Sequence, residues 1–268
     1  MHELIQNKDL THFNTFHIKA IAKLFTSIST LEDIQIIYEL KNEKLLVLGG
    51  GSNILFTDDF DGLVLYNQIK GIKVIKEDDD HVWVKVGGGE QWHSFVEYCI
   101  DKGYGGVENL ALIPGSVGAS PMQNIGAYGV EIKDVVDQIE AYHIKDKAVC
   151  FFSAKECEFG YRDSVFKKKW KDQFIILNVT FQLSKKPVFN ISYGAIKKEL
   201  ESKGIHDLSL RSIADAVIAI RSSKLPDPAK IGNAGSFFKN PIITSSQFST
   251  LQNMYPDIVG YEESHSSK

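Results

Sequence analysis

GYGGVENLALIPGSVGASPMQNIGAYG, residues 103–129, decides the reading of this chain. The stretch is apolar enough to lie inside a protein, yet it holds seven glycines and one charged residue, Glu108. Glycine is costly in the interior of an element, so this backbone passes close to something other than a packed side chain. Ser116, Ser120, Gln123 and Asn124 are short or uncharged. They suit the edge of a neutral heterocycle better than a metal ion or a nucleic-acid backbone. The bland alternative is a glycine-rich connection between two subdomains.

The glycines are concentrated. Of 21 in the chain, 15 lie between Gly49 and Gly129. GGGSNIL (49–55) follows the strand-like run LLVL, and GGGEQW (87–92) follows VWVKV. A strand feeding an uncharged glycine turn aims backbone N–H groups at a phosphate. Three such turns predict one elongated ligand with a diphosphate in its middle, for which a dinucleotide is the natural candidate. GGGEQW is a poor Rossmann fingerprint. Gly87 and Gly89 fit it, but Trp92 holds the place of the third glycine and no strand ending in an acid follows the helix.

Four blocks in order, GGGSNIL, IPGSVGASPMQNIGAYG (113–129), FGYRDS (159–164) and GNAGSFFKNP (232–241), resemble the UDP-N-acetylenolpyruvoylglucosamine reductase family of bacterial peptidoglycan synthesis, in its longer tyrosine-loop form. The resemblance runs from about His12 to Pro241. It implies an α+β fold, with an FAD-binding domain of the PCMH or vanillyl-alcohol-oxidase type in two subdomains over residues 1–186. A smaller α+β substrate-binding domain, incomplete here, is implied over 187–268. The activity implied is reduction of UDP-N-acetylglucosamine enolpyruvate to UDP-N-acetylmuramate, with noncovalent FAD and with NADPH as reductant. The implied protein is a cytoplasmic monomer whose partner is its UDP-sugar, without nucleic acid or membrane. Cofactor contacts are implied at Gly49, Gly50, Gly51, Ser52 and Asn53, then at Pro114, Gly115, Ser116, Gly118, Ala119 and Ser120. Gln123, Asn124, Gly126, Ala127, Tyr128 and Gly129 complete that set.

Reducing an enol ether that bears a carboxylate requires charge stabilisation beside the carboxylate and a placed proton donor. Arg162 fits the first need, since a guanidinium can grip a carboxylate with two bonds and stays charged. By itself it would read as a surface or sheet-edge arginine; the resemblance makes it catalytic. Ser236 is the implied proton donor, with Gly232 and Gly235 leaving room beside it and Phe237 and Phe238 anchoring its loop. The order GNAGSFF is not that of a hydrolase elbow. Tyr161, Tyr193, Lys224 and Asn240 resemble substrate contacts, Lys224 suiting a diphosphate. Nothing after Pro241 resembles the family's C-terminal part, which carries a catalytic glutamate, and the polar surroundings of Glu262 and Glu263 do not fit them to that role. Two alternatives follow: a catalytically incomplete FAD- or nucleotide-binding protein, and an oxidase of the same flavin fold acting on another substrate.

Composition sets the outer bounds. Apolar content of 43% and charged content of 24% belong to an ordinary globular protein, and a net charge of −4 argues against bulk nucleic-acid binding. The start MHELIQNKDL has no apolar segment for export, from which cytoplasmic residence is expected. Cys99, Cys150 and Cys157 lack zinc-site spacing, the histidines are scattered, and no metal is expected.

Periodicity predicts a strand over 13–20 and a short capped helix from Thr30, with Asp33 in its box and Ile34, Ile36, Ile37 and Leu40 on its apolar face. Strands are predicted over 44–48, 62–66, 72–75, 81–86, 135–144, 148–152 and 174–183, with Asp78–Asp80 as a hairpin turn. Helices are predicted over 90–102, closed by Gly103 with Trp92 and Phe95 in the core, and over 195–203 and 212–222. Ser153 with Glu156, and Ser212 with Asp215, read as helix-opening boxes. LPDP (225–228) stops the last helix, and the domain boundary is placed near Pro187.

Overall fold

Ile21–Ile28, Lys44–Leu48 and Phe60–Asn67 are apolar-rich runs that become the parallel strands β2, β3 and β4. With Ile5–Asp9 (β1), antiparallel to β2, they form a sheet in the order β1-β2-β4-β3. Central β4 buries Leu63, Val64 and Leu65 in succession, the continuous run expected of a parallel strand covered on both faces. Both β3 and β4 end in polar or glycine-rich turns, Gly49–Asn53 and Asn67–Gln68. The computed structural model describes residues 3–35, 40, 43–236 and 238–260.

The second sheet is antiparallel. Ile72–Glu77 (β5), His81–Gly87 (β6), Val136–His143 (β9), Ala148–Ser153 (β10) and Phe174–Ser184 (β11) take the order β10-β9-β11-β6-β5. A small hairpin of Gly126–Ala127 (β7) and Val130–Glu131 (β8) lies between them in sequence. In β6, Val82, Val84 and Val86 alternate inward and are fully buried. They lie in one core with helix α1 (Trp92–Lys102), whose Trp92, Phe95, Val96 and Cys99 form the predicted apolar stripe. Phe95 meets Phe181 of β11 with ring centroids 4.8 Å apart. Gly103 closes α1 at φ 75°, donating to the Ile100 carbonyl, as a left-handed C-cap does. Asp78 accepts from the Asp80 and His81 N–H groups and closes the β5–β6 hairpin.

Packing divides the chain into two compact units, residues 1–235 and 236–268. Helices α2 (Gly194–Ser202) and α3 (Leu210–Lys224) belong to the first unit and add Ile196, Leu200, Ala214 and Val217 to its main core. The boundary expected near Pro187 rests on the change to a more helical pattern beyond it, and is a different division from this one by packing. The second unit carries helix α4 (Ser245–Met254), which is opened by Thr244 and Gln247 in a reciprocal box. Among the described residues, no helix is long and apolar enough to cross a membrane.

Four local expectations need correction. Residues 13–20 are not a strand but a pinned loop, entered through a 3₁₀ turn at Thr11–Phe13. Its organiser is Asn14, whose amide donates to the Leu10 and Ile18 carbonyls, both at 2.9 Å, and accepts from the Ile18 N–H. The box at Thr30 opens only a 3₁₀ helix, Glu32–Gln35, with Asp33 accepting from the Ser29 and Thr30 N–H groups; Ile36 and Ile37 lie outside the described residues. Ser153 and Glu156 do bond reciprocally, yet they close a turn and not a helix. Helix α3 starts one turn earlier than predicted, on the reciprocal pair Ser209 and Ser212.

Candidate active site

The glycine turns meet one another. A Cβ on Gly50 would lie 2.8 Å from Gly115 Cα, and one on Gly118 would lie 2.9 Å from the Gly88 carbonyl oxygen. A Cβ on Gly49 would overlap Ser116 Oγ, and one on Gly51 would overlap the Phe13 carbonyl. The glycines therefore bring the segments 49–53, 87–89 and 112–118 into backbone contact, which no larger residue permits.

This contact shapes a cleft of about 310 Å³ at the carboxyl ends of β3 and β4. Open sheets bind ligands at such strand ends. Of the predicted cofactor residues, Gly49, Gly50, Ser52, Pro114, Gly115 and Ser116 line it. Gly51, at φ 63°, bends the same turn, and Asn53 is exposed on it. Among the described residues, the N–H groups of Gly50, Gly51, Ser52 and Asn53 find no hydrogen-bond acceptor in the protein. Four successive N–H groups without an acceptor in a glycine turn, with Gly50 and Ser52 lining the cleft, are a candidate anion cradle of the kind that suits a diphosphate. On this observation the residues present fit a dinucleotide.

The remaining predicted cofactor residues are not among those lining this cleft. Val117–Gln123 is a 3₁₀ helix in which the Ser120 hydroxyl donates to the Val117 carbonyl at 2.7 Å, while Ala119 is exposed. Asn124 is fully buried, with both amide protons engaged by Glu131 Oε2 and the Gly160 carbonyl, each at 3.0 Å. Gly126–Gly129 forms the small β7–β8 hairpin region. The cleft instead recruits residues that the sequence reading did not select, among them Thr15, Asn67, Gln68, Lys70 and His93. Asn67 and Gln68 carried a usable signal, as polar residues ending an apolar parallel strand.

One of these recruits sets the loop 112–116. Leu112, at φ 58°, is held from both sides. Its N–H donates to His93 Nδ1 at 3.2 Å, and its carbonyl accepts from Arg221 Nε at 3.3 Å. Single non-glycine residues held in the left-handed region are a recognised feature of functional sites.

A second cluster holds Arg162 with Tyr161 and, of the other predicted substrate residues, Tyr193. FGYRDS folds into a tight hairpin in which Gly160 and Asp163 exchange backbone bonds of 3.1 and 3.2 Å and Arg162 sits at its tip with φ 54°. Ser164 Oγ donates to the Met122 carbonyl at 2.8 Å, and Lys167 Nζ reaches both Gln123 Oε1 and the Arg162 carbonyl, so this hairpin is stapled to residues 122–124. The guanidinium of Arg162 lies 5.6 Å from the Tyr161 ring centre. Tyr128 and Tyr193 meet edge to face, with centroids 5.2 Å apart.

Arg221 on α3, which the sequence reading missed, lies close enough to the Tyr128 hydroxyl for each to shift the other's titration. Burial pulls its pKa below the usual arginine value, the Tyr128 hydroxyl opposes that effect and the nearby Arg162 adds to it. Burial in turn pushes the Tyr128 phenol up, with Arg221 acting against it. Among the described residues, neither arginine has a carboxylate partner. Two neighbouring unneutralised guanidiniums are a receptive site for an anion. Lys224 is exposed one turn beyond Arg221. Ser236 and Asn240 belong to the second unit and are exposed; Phe237, Glu262 and Glu263 lie outside the described residues.

The family described as FAD binding domain matches residues 22–147, which hold the turn Gly50–Asn53 and every residue lining the cleft except Thr15. The UDP-N-acetylenolpyruvoylglucosamine reductase of Flavobacterium johnsoniae is 49% identical over 264 residues, 98% of this chain and 78% of its own length. The protein of that name from Amoebophilus asiaticus is 50% identical over 261 residues, 96% of this chain and 76% of its own. The fold is that of the UDP-N-acetylenolpyruvylglucosamine reductase crystal structure from Thermus caldophilus, with a TM-score of 0.65 at 23% identity over 94% of this chain and 80% of that one. An α+β chain with an FAD-binding domain of this type, and with such relatives along nearly its whole length, belongs to the UDP-N-acetylenolpyruvoylglucosamine reductase family.

Proposed function

We propose that this chain binds FAD noncovalently and reduces UDP-N-acetylglucosamine enolpyruvate with NADPH as the source of electrons. The observation that carries the reading is the turn Gly50–Asn53, whose N–H groups find no acceptor among the described residues, with its Gly50 and Ser52 lining one cleft together with Pro114, Gly115 and Ser116. Those residues would hold the cofactor, with the diphosphate on the cradle. When bound, FAD supplies hydride transfer, first from the nicotinamide and then to the alkene of the substrate.

The chain's own residues do the rest. Arg162 would grip the substrate carboxylate and offset the charge that builds beside it. Arg221 stands next to it as a second cation, and Tyr161, Tyr193 and Lys224 are suited to the sugar and diphosphate. Ser236 would deliver the proton from its hydroxyl to the carboxylate-bearing carbon, and Asn240 would contact the substrate. The part of the chain from residue 187 onward would then supply the substrate-binding domain.

The test separates the half-reactions. Under anaerobic conditions, protein reduced by NADPH is mixed with the enolpyruvyl substrate and flavin absorbance is followed in a stopped-flow instrument. Substrate-dependent reoxidation, slowed by roughly 10²- to 10⁴-fold in Ser236→Ala, is the expected result. Reoxidation by oxygen but not by the substrate would overturn the reading in favour of an oxidase.

A further inference from the structure

The loop that replaces the predicted strand at 13–20 touches two segments of the site at once. The Thr15 N–H donates to the Gly51 carbonyl at 3.1 Å, inside the cofactor turn. On its other side, Thr15 Oγ1 donates to the Asn233 carbonyl at 2.6 Å, and the Asn233 N–H donates to the Thr15 carbonyl at 3.0 Å. Two residues on, His17, at φ 56°, pairs its Nε2 with the Pro228 carbonyl at 3.0 Å.

The fit is close on both faces. A Cβ on Gly51 would overlap the Phe13 carbonyl, and a Cβ on Gly232 would overlap the Phe16 carbonyl. The backbone from Phe13 to His17 is thus a thin layer clamped between two glycines of separate motifs, GGGSN and GNAGS. Buried Asn14 ties that layer to Leu10 and Ile18, so it cannot drift away from either neighbour. Thr15 also lines the cleft.

We propose that Thr15 is a positioning residue that links the cofactor turn Gly49–Asn53 to the segment Gly232–Gly235, so that filling the turn steadies the stretch running into Ser236. This rests on the reading of the cleft as an FAD site. Ligand at the cradle restrains the Gly51 peptide, whose carbonyl holds Thr15; Thr15 in turn holds both polar groups of the Asn233 backbone. The threonine side chain matters because its hydroxyl supplies one of the two bonds to Asn233, and valine of the same shape supplies none.

Hydrogen exchange at the Asn233 amide tests this on the full chain, with Thr15→Val and Thr15→Ser as variants and FAD as the probe. In the parent, saturating FAD should slow exchange at Asn233 by about threefold to tenfold, the effect of strengthening one hydrogen bond. Thr15→Val should lose most of that slowing, and Thr15→Ser should keep it. Equal slowing in Thr15→Val and parent, or none in the parent although FAD binds, would overturn the link. A change in Thr15→Val that is the same with and without FAD would also overturn it, as the mark of a merely structural contact. Failure of the parent to bind FAD would be seen directly in the titration and would overturn the cofactor reading. The flavin-free arm would then still judge the strap: the Asn233 amide must exchange about threefold to tenfold faster in Thr15→Val than in the parent, and equal rates would refute it.

Discussion

Gly50→Ala adds one methyl group where two cofactor loops touch. The position does not have a positive φ, so alanine meets no backbone strain there. The cost is in space: the new Cβ would lie 2.8 Å from Gly115 Cα and 3.2 Å from Gly115 C. Both are main-chain atoms and cannot rotate aside, so the turn at 49–53 and the loop at 112–116 must separate by several tenths of an ångström. Overpacking of this kind costs about 1–3 kcal/mol. If the separation is what spoils the cradle, the cost falls on binding and raises the FAD dissociation constant about 5- to 150-fold, at about 1.4 kcal/mol per tenfold. Gly194→Ala is the control. It has open space around it and no positive φ, so it should leave FAD affinity unchanged and stability equal or raised by about 0.4–1 kcal/mol. Titration of FAD fluorescence, with thermal unfolding alongside, reads both quantities. A Gly50→Ala protein that binds FAD as tightly as the parent would refute the close apposition of the two loops.

Two further outcomes follow from burial. Burial pushes the Cys157 thiol up to about 12 and the Cys99 thiol well above its usual value, so in the folded protein at pH 8 iodoacetamide should modify the half-buried Cys150 first; equal labelling of all three by mass mapping would contradict this. Trp92→Phe removes the donor to the Leu110 carbonyl, a bond of 2.9 Å in a fully buried setting, and should cost about 1–3 kcal/mol by urea unfolding; a loss below about 0.5 kcal/mol would show that the carbonyl finds another partner.

Much of the fold was legible because its signals are local. The alternation in His81–Gly87, the stripe of Trp92–Lys102 and the Gly103 cap each need only neighbouring residues. The loop at 13–20 was not legible as such, since Asn14 takes the place of a strand ladder by bonding to Leu10 and Ile18, and apolar spacing does not reveal that. The Ser153–Glu156 box was a true local signal with a false consequence. Its bonds close one turn, and the chain then runs to the hairpin at Gly160–Asp163 and not into a helix.

The cofactor turns were legible as glycine clusters, but a glycine run does not say whether it faces ligand or backbone. Gly50 and Gly115 face the cleft and also each other, whereas Gly118 packs on Gly88. Arg221 was hidden for a different reason. It reads as one more charge on a helix until the fold places Tyr128, Leu112 and Arg162 around it.

The most direct measurement is the ¹H–¹⁵N spectrum of the full chain titrated with FAD, followed at the amides of Gly50, Gly51, Ser52 and Asn53. These N–H groups have no acceptor among the described residues, and a bound diphosphate would supply one. The account predicts that they shift downfield together and gain protection from exchange as FAD saturates. A chain that does not take up FAD, or one that binds it with these four amides unmoved, would contradict it.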